Sequence, residues 1–219
     1  MKILSIASQK GGVGKTTAAT NLGVAGALAG YSTAILDLDP QATATFWADS
    51  REAEVPAVSS IQPSRLGKVL ESLDKAGCDL VLVDLPPNAG EAIYSAIQAS
   101  DFVVIPARPA AFDLHAIRHT LQAAMNCSKP AAVMLNFVPA SGNRADDGAE
   151  IIIQLGGDVA LARLGDRVAF QHAQAQGLGV MEYDTGSKAA AEVAELWRYV
   201  CSKIGLAPEK EPMEVAAHG

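Results

Sequence analysis

The sequence contains few of the features that mark disulfide-rich, zinc-binding or membrane-spanning proteins. Its 219 residues include three cysteines, Cys78, Cys127 and Cys201, which lie far apart and form no C-x-x-C pair. Such a scattered set argues against a disulfide framework or a zinc site and is typical of reduced thiols in the cytosol. No apolar run approaches the ~20 residues that span a bilayer, and the N-terminal MKILSIASQ has too short an apolar run for a signal peptide. We therefore expect a cytoplasmic protein that does not bind membranes.

Aromatic residues are also scarce, and basic residues are fewer than acidic ones. Aromatics make up 5% of a chain that is 49% hydrophobic, so aliphatic residues supply most of the apolar surface. This composition is typical of α/β proteins, in which aliphatic strands lie under alanine-rich helices. The formal net charge of −7 repels nucleic acid and anionic membranes overall. Any binding to DNA must therefore come from a local basic patch.

Apolar strand-like runs alternate with helical stretches along most of the chain. The predicted strands are Lys2–Ala7, Ser32–Asp37, Leu80–Val83, Phe102–Pro106, Ala131–Phe137 and the weaker Asp158–Ala162. The predicted helices are Lys15–Ala29 and segments near 64–76, 90–99, 112–127, 145–155, 166–176 and 186–204. The alternation predicts an α/β fold with a mostly parallel twisted sheet and helices on both faces. We expect one domain over residues 1–207 and a disordered tail over residues 208–219, where prolines and mixed charge occur.

A glycine-rich loop, SQKGGVGKTT, joins the first predicted strand to the first predicted helix. Strand, loop and helix in this order are what a phosphate-binding loop requires, because the glycines let several backbone N–H groups converge on phosphate oxygens. Lys15 would neutralise the β- and γ-phosphates, and Thr16 would supply a hydroxyl to Mg²⁺. The predicted nucleotide-binding residues of the loop are Gly11, Gly12, Val13, Gly14, Lys15, Thr16 and Thr17.

The loop departs from the strict phosphate-loop pattern at one position and carries an additional lysine. Gln9 stands where the pattern has its first glycine, and an additional lysine, Lys10, lies five positions before Lys15. QKGGVGKTT thereby resembles the deviant Walker A motif of the ParA/MinD-type P-loop ATPases. The resemblance implies a P-loop NTPase fold of the deviant Walker A class, with ATP and Mg²⁺ as cofactors. It also implies that Lys10 reaches across a homodimer interface to the phosphates of the ATP that the partner binds.

Aspartates follow the second predicted strand in DLDPQATAT, Asp37 to Thr45. Carboxylates at this end of a parallel strand lie on the same edge of the sheet as the phosphate loop, and Asp37 and Asp39 are spaced to face one side. The segment resembles the family's switch I. The resemblance implies that Asp39 orients the attacking water and that Asp37 lies near the Mg²⁺ ligands. The alternative is a solvent-facing turn of the kind that Asp-Pro often makes.

Two further strand ends complete the resemblance. LVLVDLPP places Asp84 after four apolar residues, a Walker B pattern that delivers one carboxylate to Mg²⁺. Pro86, Pro87 and Asn88 then resemble switch II, which responds to the γ-phosphate. In LNFV, Asn136 resembles the family's adenine-contacting asparagine, although a lone Asn at a strand end is also a common turn residue.

The C-terminal half bears on which branch of the family the chain resembles. Iron–sulfur carriers of the family need paired cysteines, and this chain has none. MinD-like members end in an amphipathic membrane helix, whereas EKEPMEVAAHG at the end of this sequence has no apolar face. We therefore expect a short ParA-like partitioning ATPase without an N-terminal helix-turn-helix. The resemblance implies slow, partner-stimulated ATP hydrolysis by a nucleoid-associated dimer that binds nonspecific DNA. Such a protein positions a plasmid, a chromosome region or a protein assembly, with a ParB-like or cargo-adaptor protein as its stimulating partner.

DNA binding has weak support from charge, since residues 144–203 contain more acidic than basic side chains. The predicted DNA contacts are Arg163, Arg167 and Lys188, which would have to share one face that dimerisation doubles. Ordinary surface charge is the alternative for each of them. Two other functions stay open for the whole chain: a DNA-independent, nucleotide-switched assembly factor, and an ATP-dependent carboxylate-activating synthetase on the same fold.

Overall fold

The computed structural model describes residues 1–87 and 90–211, and the strands of this part form one seven-stranded sheet. They are β1 (Lys2–Ile6), β2 (Thr33–Asp37), β3 (Ala57–Ser60), β4 (Leu80–Asp84), β5 (Phe102–Ala107), β6 (Ala131–Leu135) and β7 (Asp158–Val159). Their order is β3-β2-β4-β1-β5-β6-β7, and all the pairings between them are parallel. The chain crosses from one side of the central β1 to the other between β4 and β5.

Helices cover both faces of this sheet, which confirms the predicted fold class. They are α1 (Lys15–Leu28), α2 (Thr43–Asp49), α3 (Leu66–Lys75), α4 (Glu91–Ala99), α5 (Ala111–Asn126), α6 (Arg144–Gln154), α7 (Val168–Ala175), α8 (Val180–Tyr183) and α9 (Lys188–Ile204). A short 3₁₀ turn, Pro63–Arg65, precedes α3. One core lies under α1, α2 and α7 to α9, and the other lies under α3 to α6.

The interior strands supply side chains to both cores. In β4, Leu80 and Leu82 belong to the core under α1 and α9, whereas Val81 and Val83 belong to the opposite core. Successive side chains of a strand point to opposite faces, so a strand covered on both faces needs an unbroken apolar run. This is why the aliphatic runs of the sequence located the interior strands.

Three elements were not predicted from the sequence, and the last two strands were predicted too long. The edge strand β3 has mostly exposed residues and therefore no apolar run, while α2 and α8 are short helices without a strong periodic pattern. Tertiary contacts hold α2: Trp47 is fully buried, and its indole N–H donates to the Leu178 carbonyl at 3.2 Å. The predicted strand over Asp158–Ala162 is confined to Asp158–Val159, and β6 ends at Leu135, before Asn136.

The chain beyond α9 contacts the domain as far as Lys210. The Tyr31 hydroxyl donates to the Ala207 carbonyl and the Trp197 indole N–H to the Pro208 carbonyl, both at 2.9 Å. Residues 212–219 of the predicted tail lie outside the described residues, as does Asn88 of the predicted switch II. The boundary between domain and tail stays a prediction. None of the helices in the described ranges is long and apolar enough to cross a bilayer.

Candidate nucleotide-binding site

The predicted phosphate, metal and water-binding residues come together at the carboxyl ends of β1, β2 and β4. In the strand register, Ile6 at the end of β1 is opposite Asp84, and Asp84 is opposite Asp37 on its other side. Ligands of open parallel sheets bind in the crevice at this edge, where the strand order reverses. The fold therefore places the glycine-rich loop and both carboxylates at one edge.

The glycine-rich loop ends at Gly14, where α1 begins. Gly14 has φ +89°, a left-handed conformation that favours glycine, and a Cβ at this position would lie 2.0 Å from the amide nitrogen of Asn136. Lys15, Thr16 and Thr17 then form the first turn of α1. The N–H groups of a first turn have no partner inside the helix and point along its axis, so they suit an anion such as phosphate.

The two lysines of the loop have different environments. Lys15 is 7% exposed, and its Nζ donates to the Lys10 carbonyl at 3.0 Å. Burial lowers the pKa of Lys15, while the nearby Asp84 and Asp39 act in the opposite direction. The Lys10 side chain is half exposed, and its Nζ lies 3.3 Å from an oxygen of Asp113. The Lys15 side chain is therefore directed into its own loop, whereas the Lys10 side chain extends away from the loop to Asp113.

Asp84 is a buried carboxylate at the carboxyl end of β4. It is 1% exposed, and neither of its oxygens accepts a hydrogen bond from the described residues. Burial raises its pKa to about 7; the adjacent Thr16 hydroxyl and Lys15 oppose this, and Asp37 adds to it. Because an unpartnered buried carboxylate is costly, this donor fits a hard divalent cation such as Mg²⁺, with the Thr16 hydroxyl beside it.

Asp37 has the same burial but a different set of contacts. One of its oxygens accepts the Asp39 N–H at 3.0 Å, and the other accepts the N–H groups of Ala44 at 3.0 Å and Thr45 at 3.2 Å. Asp37 thus organises the loop between β2 and α2 and stabilises the start of α2. Its predicted place among the metal ligands stays a prediction.

Asp39 lies in that same loop, at the border of the site. It is half-buried, its carboxylate accepts the Gln41 N–H at 2.9 Å, and its carbonyl accepts the Ala42 N–H at 2.8 Å. These contacts form the kind of turn that the alternative interpretation of Asp-Pro anticipated. The carboxylate nevertheless faces the phosphate site closely enough to act on the Lys15 ammonium.

Asn136 contacts the phosphate loop from the end of β6. Its amide nitrogen donates to the Val13 carbonyl at 2.9 Å, and its amide oxygen accepts the Phe137 N–H. Asn136 and Thr17 also line a cavity of about 150 Å³, whose other walls include Phe137, Arg167 and Phe170. A cavity with aromatic walls beside the loop has the chemistry of a nucleobase site.

Reasoning from the sequence missed two side chains next to the loop. The Arg108 guanidinium donates to the Gly12 carbonyl and lies 4.8 Å from the centre of the Phe137 ring. Asp113, in the first turn of α5, is the ion-pair partner of Lys10. Both follow β5, whose carboxyl end borders the loop, and that position was the available signal.

The three predicted DNA contacts have unequal surroundings. Arg167 is held by both carboxylate oxygens of Glu192, which raises its pKa, and Arg163 pairs with Asp146 at 2.8 Å. Lys188 is exposed at the N-terminal end of α9. DNA binding by these residues stays a prediction.

Comparison with known proteins identifies the family of this chain. Residues 4–180 match the family described as CbiA, the CobQ/CobB/MinD/ParA nucleotide binding domain. "Maintenance of carboxysome distribution protein A" of Gloeobacter kilaueensis is 32% identical over 208 residues, covering 93% of this chain and 94% of that protein. "Protein ParA" of Rhizobium radiobacter is 37% identical over 115 residues, or about half of each chain (52% and 51%).

A solved structure shows the same fold. The septum site-determining protein MinD of Pyrococcus horikoshii, complexed with Mg-ADP, superposes with a TM-score of 0.76 at 20% identity and covers 91% of this chain and 95% of its own. The family match and the full-length relative confirm the resemblance that the glycine-rich loop indicated. This chain belongs to the ParA/MinD family and is a nucleotide-binding ATPase.

Proposed function

We propose that the protein is an ATP-dependent dimer that binds nonspecific DNA and uses ATP hydrolysis to position or partition a cargo. The observation that carries this proposal is the difference between the environments of the Lys15 and Lys10 side chains. Lys15 is buried in its own loop, whereas the Lys10 ammonium is half exposed beyond it. A cation placed there suits the phosphates of a nucleotide bound by a second subunit.

Hydrolysis would use groups at the edge of the sheet. The α1 N–H groups and Lys15 hold the phosphates and stabilise the negative charge on them. Asp39 orients a water molecule, whose oxygen attacks the γ-phosphorus as the bond to the ADP oxygen breaks. The products are ADP and inorganic phosphate. The Asp39 carboxylate accepts a hydrogen bond within its own loop, and rearrangement of that loop would make unassisted turnover slow and responsive to a partner.

Asp84 and Thr16 would hold Mg²⁺, and Asp37, which is next to Asp84 in the sheet, would lie near the metal ligands. The support is the unpartnered carboxylate of Asp84. When bound, the ion supplies positive charge that neutralises the phosphate oxygens. Asn136 and the cavity beside it would receive the adenine.

Cargo positioning is supported by the full-length alignment with a protein named for carboxysome distribution and by the ParA match. We propose that a ParB-like or cargo-adaptor protein stimulates the ATPase, and that the ATP-bound dimer is associated with the nucleoid in the cytoplasm. Arg163, Arg167 and Lys188 would contribute to DNA binding. Glu192 binds Arg167, and Asp146 binds Arg163, so we expect Lys188 to contribute more to DNA binding than either arginine.

The test is binding to nonspecific duplex DNA at low and moderate salt, with ATP, with ADP and without nucleotide. Lys10→Ala is compared with the wild type and with Lys68→Ala, an exposed lysine of α3 that removes the same charge elsewhere. We expect salt-sensitive binding with ATP alone, lost in Lys10→Ala and kept in Lys68→Ala. Lys188→Ala should reduce the salt dependence of the remaining binding.

Other outcomes distinguish the alternative functions. ATP hydrolysis and dimerisation without DNA binding in any nucleotide state would contradict the DNA proposal and indicate a nucleotide-switched assembly factor. ADP release that depends on a small carboxylate substrate would indicate a synthetase.

A further inference from the structure

Lys10 has an ion-pair partner in its own chain. Its Nζ lies 3.3 Å from an oxygen of Asp113, and the exposed fractions of the two side chains are 49% and 10%. Asp113 is the third residue of α5. This helix follows β5, whose carboxyl end lies next to the phosphate loop. Lys10 is thus bound to a helix of its own subunit while its carbonyl accepts the Lys15 ammonium.

The two members of this pair differ in burial and in side-chain length. Asp113 is buried in the first turn of a 16-residue helix, where a negative charge is stabilised by the helix dipole. Lys10 carries its charge on a flexible four-carbon chain that extends from the exposed start of the loop. The carboxylate is therefore a fixed acceptor, and the ammonium is the group that can leave.

A lysine that binds phosphates in a second subunit cannot keep this partner unchanged. When triphosphate oxygens approach, the Lys10 ammonium either contacts both anionic groups or moves to the more negative one. We propose that Asp113 is a positioning residue that retains Lys10 within its own subunit, so that dimerisation on ATP has to take Lys10 from Asp113. This inference rests on the proposed ATP-dependent dimer. It makes Asp113 a residue that raises the protein concentration at which the dimer forms.

The expected consequence is a change in the dimer equilibrium. Removing the Asp113 charge leaves Lys10 without its competing partner, so the dimer should form at lower protein concentration. Because the dimer breaks one half-exposed ion pair in each subunit, we expect the dissociation constant of the dimer to fall about threefold to tenfold. A residue that only supports the fold would not produce this gain.

The experiment measures dimerisation by sedimentation velocity with a non-hydrolysable ATP analogue and Mg²⁺, over a range of protein concentrations. Asp113→Asn is compared with the wild type and with Asp113→Glu, which keeps the charge. Asp113→Ser, a residue that suits the start of a helix, serves as a second neutral variant, and thermal unfolding checks that each variant is folded. We expect tighter dimers in the neutral variants and a dissociation constant close to the wild type in Asp113→Glu.

Lys10→Ala supplies the second half of a double-mutant cycle. Lys10→Ala is itself expected to weaken the dimer, so the comparison is made at protein concentrations at which that variant still dimerises. If Asp113 acts through Lys10, Asp113→Asn leaves the dissociation constant unchanged in the Lys10→Ala background. An equal effect in both backgrounds would overturn the inference, as would an unchanged or weaker dimer in the neutral variants. In those cases a wild-type dimer would leave the proposed function intact. Absence of a dimer in the wild type and in every Asp113 variant would overturn both.

Discussion

Asp37 and Asp84 end two neighbouring parallel strands in direct register, yet the described part of the chain supplies hydrogen-bond donors to Asp37 and not to Asp84. Asp37 accepts three backbone N–H groups, one from the loop that follows β2 and two from the first turn of α2, and both oxygens of Asp84 lack partners among the described residues. Two equally buried aspartates therefore have opposite effects on the chain. Asp37 organises a loop, whereas the burial of Asp84 is uncompensated by the described residues, and the proposed bound Mg²⁺ would compensate it.

The first prediction follows from that contrast and compares two identical substitutions. In EDTA, Asp84→Asn should raise the free energy of unfolding by about 1 kcal/mol, because it removes an uncompensated buried charge. Asp37→Asn should lower it by about 1 to 2 kcal/mol, because an amide nitrogen replaces an acceptor of backbone N–H groups. Denaturant unfolding measures both. Asp84→Asn should also lose the stabilisation that Mg²⁺ with nucleotide gives the wild type, and a loss of stability in EDTA would contradict the metal-ligand interpretation.

The second prediction concerns the glycines of the phosphate loop. Gly14→Ala should destabilise the protein by about 2 kcal/mol or more, because φ is +89° and the new Cβ would meet the Asn136 amide at 2.0 Å. Gly11→Ala is the matched control, since nothing lies within 4 Å of a Cβ there. Thermal unfolding of the two variants should differ clearly, and similar melting temperatures would contradict the described loop geometry.

The third prediction assigns Arg108 to nucleotide binding. Its guanidinium holds the Gly12 carbonyl and stacks on Phe137, so it keeps the loop close to one conformation. Arg108→Ala should weaken nucleotide binding about threefold to tenfold, with little change in melting temperature because the residue is exposed. Calorimetric titration with ADP and Mg²⁺ measures the affinity, and Arg118→Ala, an exposed arginine of α5, controls for charge. Equal affinities in both variants would argue against this role.

The fourth prediction is a pH dependence of stability at the junction of α2 and α8. The Arg51 guanidinium binds both oxygens of Glu182. Burial alone would raise the pKa of Glu182, but the hydrogen bonds from Arg51 and from the Gly179 N–H lower it below its usual value. Because the folded-state pKa is the lower one, the pair stabilises the protein above the unfolded pKa of about 4.5, and the effect is lost as pH falls through the folded pKa.

Glu182→Gln measures this contribution. At pH 7 the variant should unfold with about 2 kcal/mol less free energy than the wild type, and the difference should shrink below pH 4.5. Glu71→Gln is the control, because Glu71 pairs with Lys75 in an exposed position and should have a small effect at every pH. A difference that stays constant between pH 7 and pH 3 would show that Glu182 acts through packing and not through its charge.

Several parts of the site could be predicted because their signals are local. The aliphatic runs ending in Asp37 and Asp84, the glycines and Lys15 each lie in a short continuous segment, and the rule for parallel sheets brings such strand ends to one edge. The structure brings the predicted groups together at that edge. The family match confirms the recognition that rested on Lys10 and its neighbours.

Other parts depend on contacts between distant segments. The edge strand β3 and the short α2 carry no strong pattern, and α2 is held by Trp47 and Arg51 against residues 177–182. Arg108 and Asp113 are unremarkable in sequence, and their relation to Gly12 and Lys10 arises only because β5 lies beside β1.

The sequence by itself determined the class of fold, the phosphate loop and the set of carboxylates, because backbone periodicity and loop chemistry act over a few residues. The tertiary structure decided what each charged group does. Over residues 1–87 and 90–211 it supplied donors to Asp37 but not to Asp84, and it paired Arg167 with Glu192 and Lys10 with Asp113. Burial and partners control the energy of a charge, and both are properties of the folded chain.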